Sequence, residues 1–126
     1  MRRMLLAVVG TLLAGGCSNA CRNDVVAIAT APGGKHQVAM FSRDCGATTG
    51  YSTQVSILDA GDEPTGAGNA FVADGGTVAT AWGGPWTEVA WLGSDRLLIR
   101  YDSRARIVQQ PKRVDGVAIS YQAVVR

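Results

Sequence analysis

The chain has 126 residues, of which 16 are glycine, three are cysteine and one is histidine, and its formal net charge is +2. Arg2 and Arg3 supply that excess, and the other charged residues balance at ten of each sign. This length suffices for one domain with one hydrophobic core. A neutral domain lacks the basic surface that binds nucleic acid, so we exclude nucleic-acid partners.

The first residues predict an export signal. Two arginines open the chain, an apolar run of about nine residues follows at positions 5–13, and small residues precede Cys17. That run is far short of the roughly 20 residues of a membrane-spanning helix. Small residues before a cysteine resemble the lipobox of bacterial lipoproteins, although Ala14 stands where lipoboxes usually carry Leu. We predict a lipoprotein signal peptide over 1–16. We also predict that Cys17 carries a lipid, including palmitate, that anchors the protein to a membrane.

An ordinary signal peptide is the competing interpretation, because Ser18-Asn19-Ala20 also has the small-x-small pattern of a cleavage site. The polar Ser18 and Asn19 are more typical of a tether. We therefore expect a lipidated tether over 17–24 and a single β domain over 25–126. The serine after the cysteine indicates sorting to the periplasmic face of the outer membrane, if the host follows the enteric rule.

Three cysteines in an exported protein leave one without a disulfide partner. Lipidation of Cys17 accounts for the odd one, and Cys21 and Cys45 can then pair in an oxidising compartment. Metal binding is not predicted, because the chain has no C-x-x-C pair and no second ligand pair at zinc spacing. We expect no cofactor, and we expect His36 to be an exposed strand residue rather than a ligand or base.

Apolar residues alternate in short runs split by turn residues, which predicts an all-β domain. The run Val25–Thr30 is apolar on both faces, which indicates a central strand. A turn at 31–35 leads into a second strand over His36–Ser42. Tyr51–Leu58 has one apolar and one polar face, as in a half-buried antiparallel strand.

The later elements are shorter. Two short strand candidates lie at Asn69–Ala73 and Thr77–Ala81. Hairpins are predicted for 87–91 with 97–101 and for 106–110 with 117–125. Eight or nine such strands indicate a small antiparallel meander that forms a sandwich or an open barrel.

The segment from Arg43 to Leu58 reads RDCGATTGYSTQVSIL. Together with the preceding Pro-Gly-Gly-Lys turn, it resembles a group of small, uncharacterised bacterial envelope proteins that share an RDCGATTG-aromatic-ST-QVSIL segment. The resemblance covers about a quarter of the mature chain. It implies an exported β-rich protein, and it supplies no catalytic residues.

Two surfaces are candidate binding sites. The first is a polar loop, held by a disulfide and a strong strand, whose candidate residues are Arg43, Asp44, Thr48, Thr49, Tyr51 and Ser52. Its structural alternative is a scaffold turn in which these side chains bond to the backbone. The second is an aromatic surface of Trp82 and Trp86, since rings beside a glycine-rich loop can stack on sugars. Its alternative is two rings that close one end of the barrel.

No G-x-S-x-G elbow or comparable context supports a hydrolase, so we predict a protein that is not an enzyme. The function class that we favour is protein binding or a structural role in the cell envelope. The alternatives are a glycan-binding module and an inhibitor of an envelope-directed hydrolase.

Overall fold

The structure is a computed structural model that describes residues 21–46, 51–76 and 80–126. The prediction of a strand over Thr77–Ala81 falls largely outside these residues. The described residues form nine strands: β1 (Arg22–Thr30), β2 (His36–Asp44), β3 (Tyr51–Asp59), β4 (Phe71–Gly75), β5 (Thr87–Gly93), β6 (Arg96–Asp102), β7 (Ala105–Gln109), β8 (Arg113–Val114) and β9 (Val117–Val124).

The strands form two sheets that pack as a sandwich, which confirms the predicted all-β class. A five-stranded sheet has the order β1-β2-β3-β4-β7, and a four-stranded sheet has the order β5-β6-β9-β8. The five-stranded sheet is antiparallel throughout. In the four-stranded sheet, β6 and β9 run parallel, and the other two pairs are antiparallel.

The core lies between the two sheets and follows the period of two predicted for the strands. Phe71 is fully buried there, with its ring centroid 5.4 Å from that of Tyr101 and 6.0 Å from that of Tyr121. The other buried apolar side chains of this core are Val38, Met40, Val55, Ile57, Ala70, Ala73, Leu97, Ile99, Val117 and Ile119.

Tyr121 links the sheets through its hydroxyl, which lies 3.0 Å from the carbonyl oxygen of Ala70 and also within hydrogen-bonding distance of that of Pro111. Burial, and to a lesser degree the neighbouring Tyr101, raises the pKa of Tyr121 above its usual value. The phenol therefore stays protonated and available as a donor at any physiological pH.

The outer face of the five-stranded sheet is also covered, because the long connection between β3 and β4 folds over it. Gln54 accepts a hydrogen bond from the amide of Gly68 at 2.7 Å. The Asn69 side chain accepts from the amide of Ile57 at 2.8 Å and donates to its carbonyl at 3.0 Å, in place of a neighbouring strand. Phe41 is consequently fully buried on this face as well.

Two predictions about strand order were wrong. β1 is an edge strand, not a central one, and Val25 and Ile28 are each 49% exposed on it. β7 does not form a hairpin with β9: it pairs with β4 in the other sheet, and the Asp115-Gly116 turn joins β9 to the two-residue β8. The chain therefore departs from a simple meander first after β4, because β5 begins the four-stranded sheet, and again after β6, because β7 returns to the five-stranded sheet.

Candidate functional site

A disulfide closes one end of the sandwich. Cys21 lies just before β1 and Cys45 just after β2, and their sulfurs are bonded at 2.13 Å. This confirms the predicted bridge. We call this end of the sandwich, with the end of β2 and the start of β3, the disulfide end. Cys17 lies outside the described residues.

The strand register places the predicted loop residues on two opposite faces. Arg43 pairs with Ser52 and Asp44 pairs with Tyr51 across the β2–β3 ladder. Because paired residues share a face and neighbours alternate, Arg43 and Ser52 lie on the outer face. Tyr51 lies on the face that points toward the other sheet. Thr48 and Thr49 lie outside the described residues.

The polar groups of Arg43, Asp44 and Ser52 all bond within the domain, although Asp44 lies on the same face as Tyr51. The Arg43 guanidinium donates to the side-chain oxygen of Asn23 at 2.7 Å. The Asp44 carboxylate accepts from the amide of Gly46 at 3.1 Å, as the scaffold interpretation expects. Ser52 donates to the carbonyl of Arg43 at 3.4 Å.

Arg43 and Ser52 border a shallow groove in the outer face of the five-stranded sheet, which also contains Asp74 and Arg106. The Arg106 guanidinium donates two hydrogen bonds to the Asp74 carboxylate, at 2.8 and 2.6 Å. The hydrogen bonding and charge of Asp74 raise the pKa of Arg106. On this polar surface Asp74 and Arg106 pair with each other, and Arg43 bonds to the neutral side chain of Asn23.

On the inner face, Tyr51 and Trp82 line one cleft of about 340 Å³, together with Asp24 and Ser42. Tyr51 is 46% exposed, so much of its surface is available to a partner. The structure thus brings together one residue from each of the two candidate surfaces that the sequence predicted separately.

The cleft is built by the segment that carries Trp82, which packs closely on the start of β3. Thr53 accepts a hydrogen bond from the Trp82 indole at 2.9 Å and donates to the carbonyl of Pro85 at 2.7 Å. A Cβ atom on Gly83 would lie 2.7 Å from the Tyr51 ring, and one on Gly84 would lie 2.4 Å from the Thr53 hydroxyl. These two positions therefore require glycine, because any side chain would force the segments apart.

Trp86 has a different environment from Trp82. The Arg126 guanidinium carbon lies 4.1 Å from the centroid of the Trp86 ring, and that of Arg100 lies 5.8 Å from it. Arg100 also pairs with Glu88 at 2.7 Å. Trp82 instead packs against the core and is held by its hydrogen bond. The two rings thus contact different partners.

His36 is buried at 6% exposure, so the prediction of an exposed strand residue was wrong. It is the first residue of β2, and its side chain faces the space between the sheets because it alternates in step with Val38 and Met40. The sequence signal that could have placed it is this alternation with the core residues.

Comparison with family models, with curated proteins and with solved structures finds no match to this chain. Within the described residues there is also no helix long and apolar enough to cross a membrane.

Proposed function

We propose that the chain is a lipid-anchored protein of the bacterial cell envelope whose sandwich binds another protein and catalyses no reaction. The observation that carries the envelope part is the Cys21–Cys45 disulfide. It uses two of the three cysteines and leaves Cys17 for the lipid, as the pattern of residues 1–17 predicts. Disulfides persist in oxidising compartments, which include the periplasm.

A lipid on Cys17 would keep the disulfide end close to the membrane. Cys17 lies four residues before the bonded Cys21, and four extended residues span at most about 14 Å. The cleft of Tyr51 and Trp82 lies at this end, because Tyr51 begins β3 opposite the end of β2. We therefore propose that the partner is a protein that is itself at the membrane surface. Periplasmic sorting to the outer membrane is part of the same proposal.

Protein binding is favoured by the mixed character of the cleft. Exposed Tyr51 supplies an aromatic anchor, which is the residue type that dominates protein interfaces, and Asp24 and Ser42 supply polar groups beside it. The close packing of the segment that carries Trp82 holds the cleft in shape, and a rigid site loses less entropy on binding. An inhibitor of an envelope-directed hydrolase is one form of this function.

The anchor is tested by the substitution Cys17→Ala. We expect it to abolish incorporation of labelled palmitate and to move the protein from the membrane fraction to the soluble fraction, because the thioether-forming sulfur is gone. The matched control is Ser18→Ala, which should keep the label. Equal labelling of Cys17→Ala and the unchanged protein would contradict the anchor.

The binding surface is tested by crosslinking in intact cells with Tyr51→Ala. We expect at least a fivefold loss of the captured partner, while the free energy of unfolding falls by only about 1 kcal/mol for a half-exposed ring. The control is Leu92→Ala, which removes an apolar side chain that is 45% exposed on β5. Capture that is equal for Tyr51→Ala and the unchanged protein would contradict this surface.

Glycan binding is the second candidate, because Tyr51 and Trp82 line the same cleft and aromatic rings stack on sugars. The Arg126 guanidinium over Trp86 counts against the wider aromatic surface, since it covers one stacking face. A change in tryptophan fluorescence on addition of purified envelope polysaccharide, lost in Trp82→Phe, would favour this candidate over the first.

A further inference from the structure

At the end of the sandwich opposite the disulfide, three turns converge. They are the turns at 31–35, 93–96 and 115–116, and we call this the turn end. A Cβ atom on Gly33 would lie 4.0 Å from that of Ser94, which places the first two turns together. The third turn reaches the same place through Asp115, whose carboxylate lies 3.9 Å from Nδ1 of His36.

His36 presents a buried polar atom without a hydrogen-bond partner at this end. Its side chain is 8% exposed, and Nδ1 is the buried side-chain nitrogen or oxygen of the described residues that lacks a hydrogen bond. Buried polar atoms are nearly always satisfied, so each exception requires an explanation. At 3.9 Å, the Asp115 oxygen is too far away to serve as an acceptor or donor partner.

Two carboxylates from separate segments lie near this imidazole. Asp59 is the cross-strand partner of His36 in the β2–β3 ladder, so the two side chains lie side by side at the end of the core. Asp115 comes from the other sheet. It has a φ of 50° and is followed by Gly116 with a φ of 80°, which is the pattern of a two-residue hairpin turn. One ligand atom of each of the three residues lies within 4.8 Å of the others.

We propose that His36, Asp59 and Asp115 bind a divalent transition-metal ion of the zinc class. Imidazole nitrogen with two carboxylates is a donor set that zinc accepts, with the fourth position left for water or a partner's ligand. Ligand atoms in a tetrahedral zinc site lie about 3.4 Å apart. The side chain of Asp115 is 63% exposed and can rotate to close the remaining distance. The bound ion would satisfy Nδ1 of His36.

The buried imidazole is the feature that separates this site from a cluster of surface acids. Calcium and magnesium prefer oxygen ligands, whereas zinc binds imidazole readily. The selectivity that we expect therefore depends on His36. Lys35 lies beside His36 and Asp115 at the turn end, and its positive charge would oppose a bound cation. Its side chain is exposed and flexible, so the ammonium can turn away to solvent.

The test uses the untagged full chain, treated with a chelator and then titrated with zinc by calorimetry. We expect one zinc ion per chain. We also expect the midpoint of thermal unfolding to rise by about 10 °C at a zinc concentration 100 times the Kd, because an ion that binds only the folded chain shifts the unfolding equilibrium by mass action. Magnesium and calcium at the same concentrations should leave the midpoint unchanged.

Two variants identify the ligands. His36→Gln and Asp115→Asn should each weaken zinc binding by at least about tenfold. Asparagine tolerates positive φ, so Asp115→Asn preserves the turn. This variant therefore tests the ligand set even if His36→Gln fails to fold. Asp62→Asn changes an exposed acid outside the cluster and is the matched control. Absence of zinc binding, binding that Asp115→Asn leaves unchanged, or equal binding of magnesium would overturn the proposal.

Discussion

Removal of the Cys21–Cys45 disulfide is expected to lower the free energy of unfolding by about 3–4 kcal/mol. The bridge joins residues separated by 24 positions. On the chain-entropy model, a loop of this length lowers the conformational entropy of the unfolded chain and so destabilises the unfolded state by that free energy. A domain of about this size has only about 5–15 kcal/mol of stability. The double substitution Cys21→Ser with Cys45→Ser should therefore shift the midpoint of urea unfolding strongly.

The control for the disulfide is chemical reduction. A reductant should destabilise the unchanged protein by the same amount as the double substitution, and it should have no effect on the double variant. A difference below about 1 kcal/mol between the oxidised and reduced proteins would show that the strands hold this end of the sandwich without the bridge.

The substitution Phe71→Ala is expected to have an effect of about 3–5 kcal/mol, the range for truncation of a buried aromatic residue. Phe71 is fully buried and contacts the rings of Tyr101 and Tyr121. Its loss leaves a cavity between the two sheets, because strands from both sheets hold the surrounding side chains in place. Urea unfolding of the disulfide-bonded variant measures this effect.

Val108→Ala provides the comparison for Phe71→Ala. Val108 lies on β7 and is 56% exposed, so its truncation should change the free energy of unfolding by less than about 0.5 kcal/mol. If Phe71→Ala cost no more than Val108→Ala, the space between the sheets would not be the cohesive core of this domain.

The alternation of apolar residues was enough to predict most strands and the all-β class. Tyr51–Leu58 became β3 almost residue for residue, and the hairpin of 87–91 with 97–101 is β5–β6. Strand order was harder, because it depends on which edges meet after the chain collapses. The run Val25–Thr30 is apolar on both faces, yet Val25 and Ile28 are each 49% exposed, so its apolar character did not identify an edge strand.

The disulfide could be predicted because the prediction required only the number of cysteines and an oxidising compartment for the exported protein. The composition of the cleft could not be predicted, because Tyr51 and Trp82 are separated by more than one strand in the sequence. They meet because Thr53, close to Tyr51 on β3, bonds to Trp82 and to Pro85. The same reason applies to His36, Asp59 and Asp115. No spacing rule unites a strand start, a strand end and a turn of the other sheet.

The interior position of β9 has a consequence for how the domain acquires its structure. β9 lies between β6 and β8, and it follows both of them in sequence. Synthesis proceeds from the N-terminus, so every earlier strand emerges while the place of β9 is still vacant. Until then β6, which carries the buried Leu97 and Ile99, has one unpaired edge open to other chains. The four-stranded sheet therefore closes only after β9 has emerged, and the β6 edge stays open to other chains until that pairing forms.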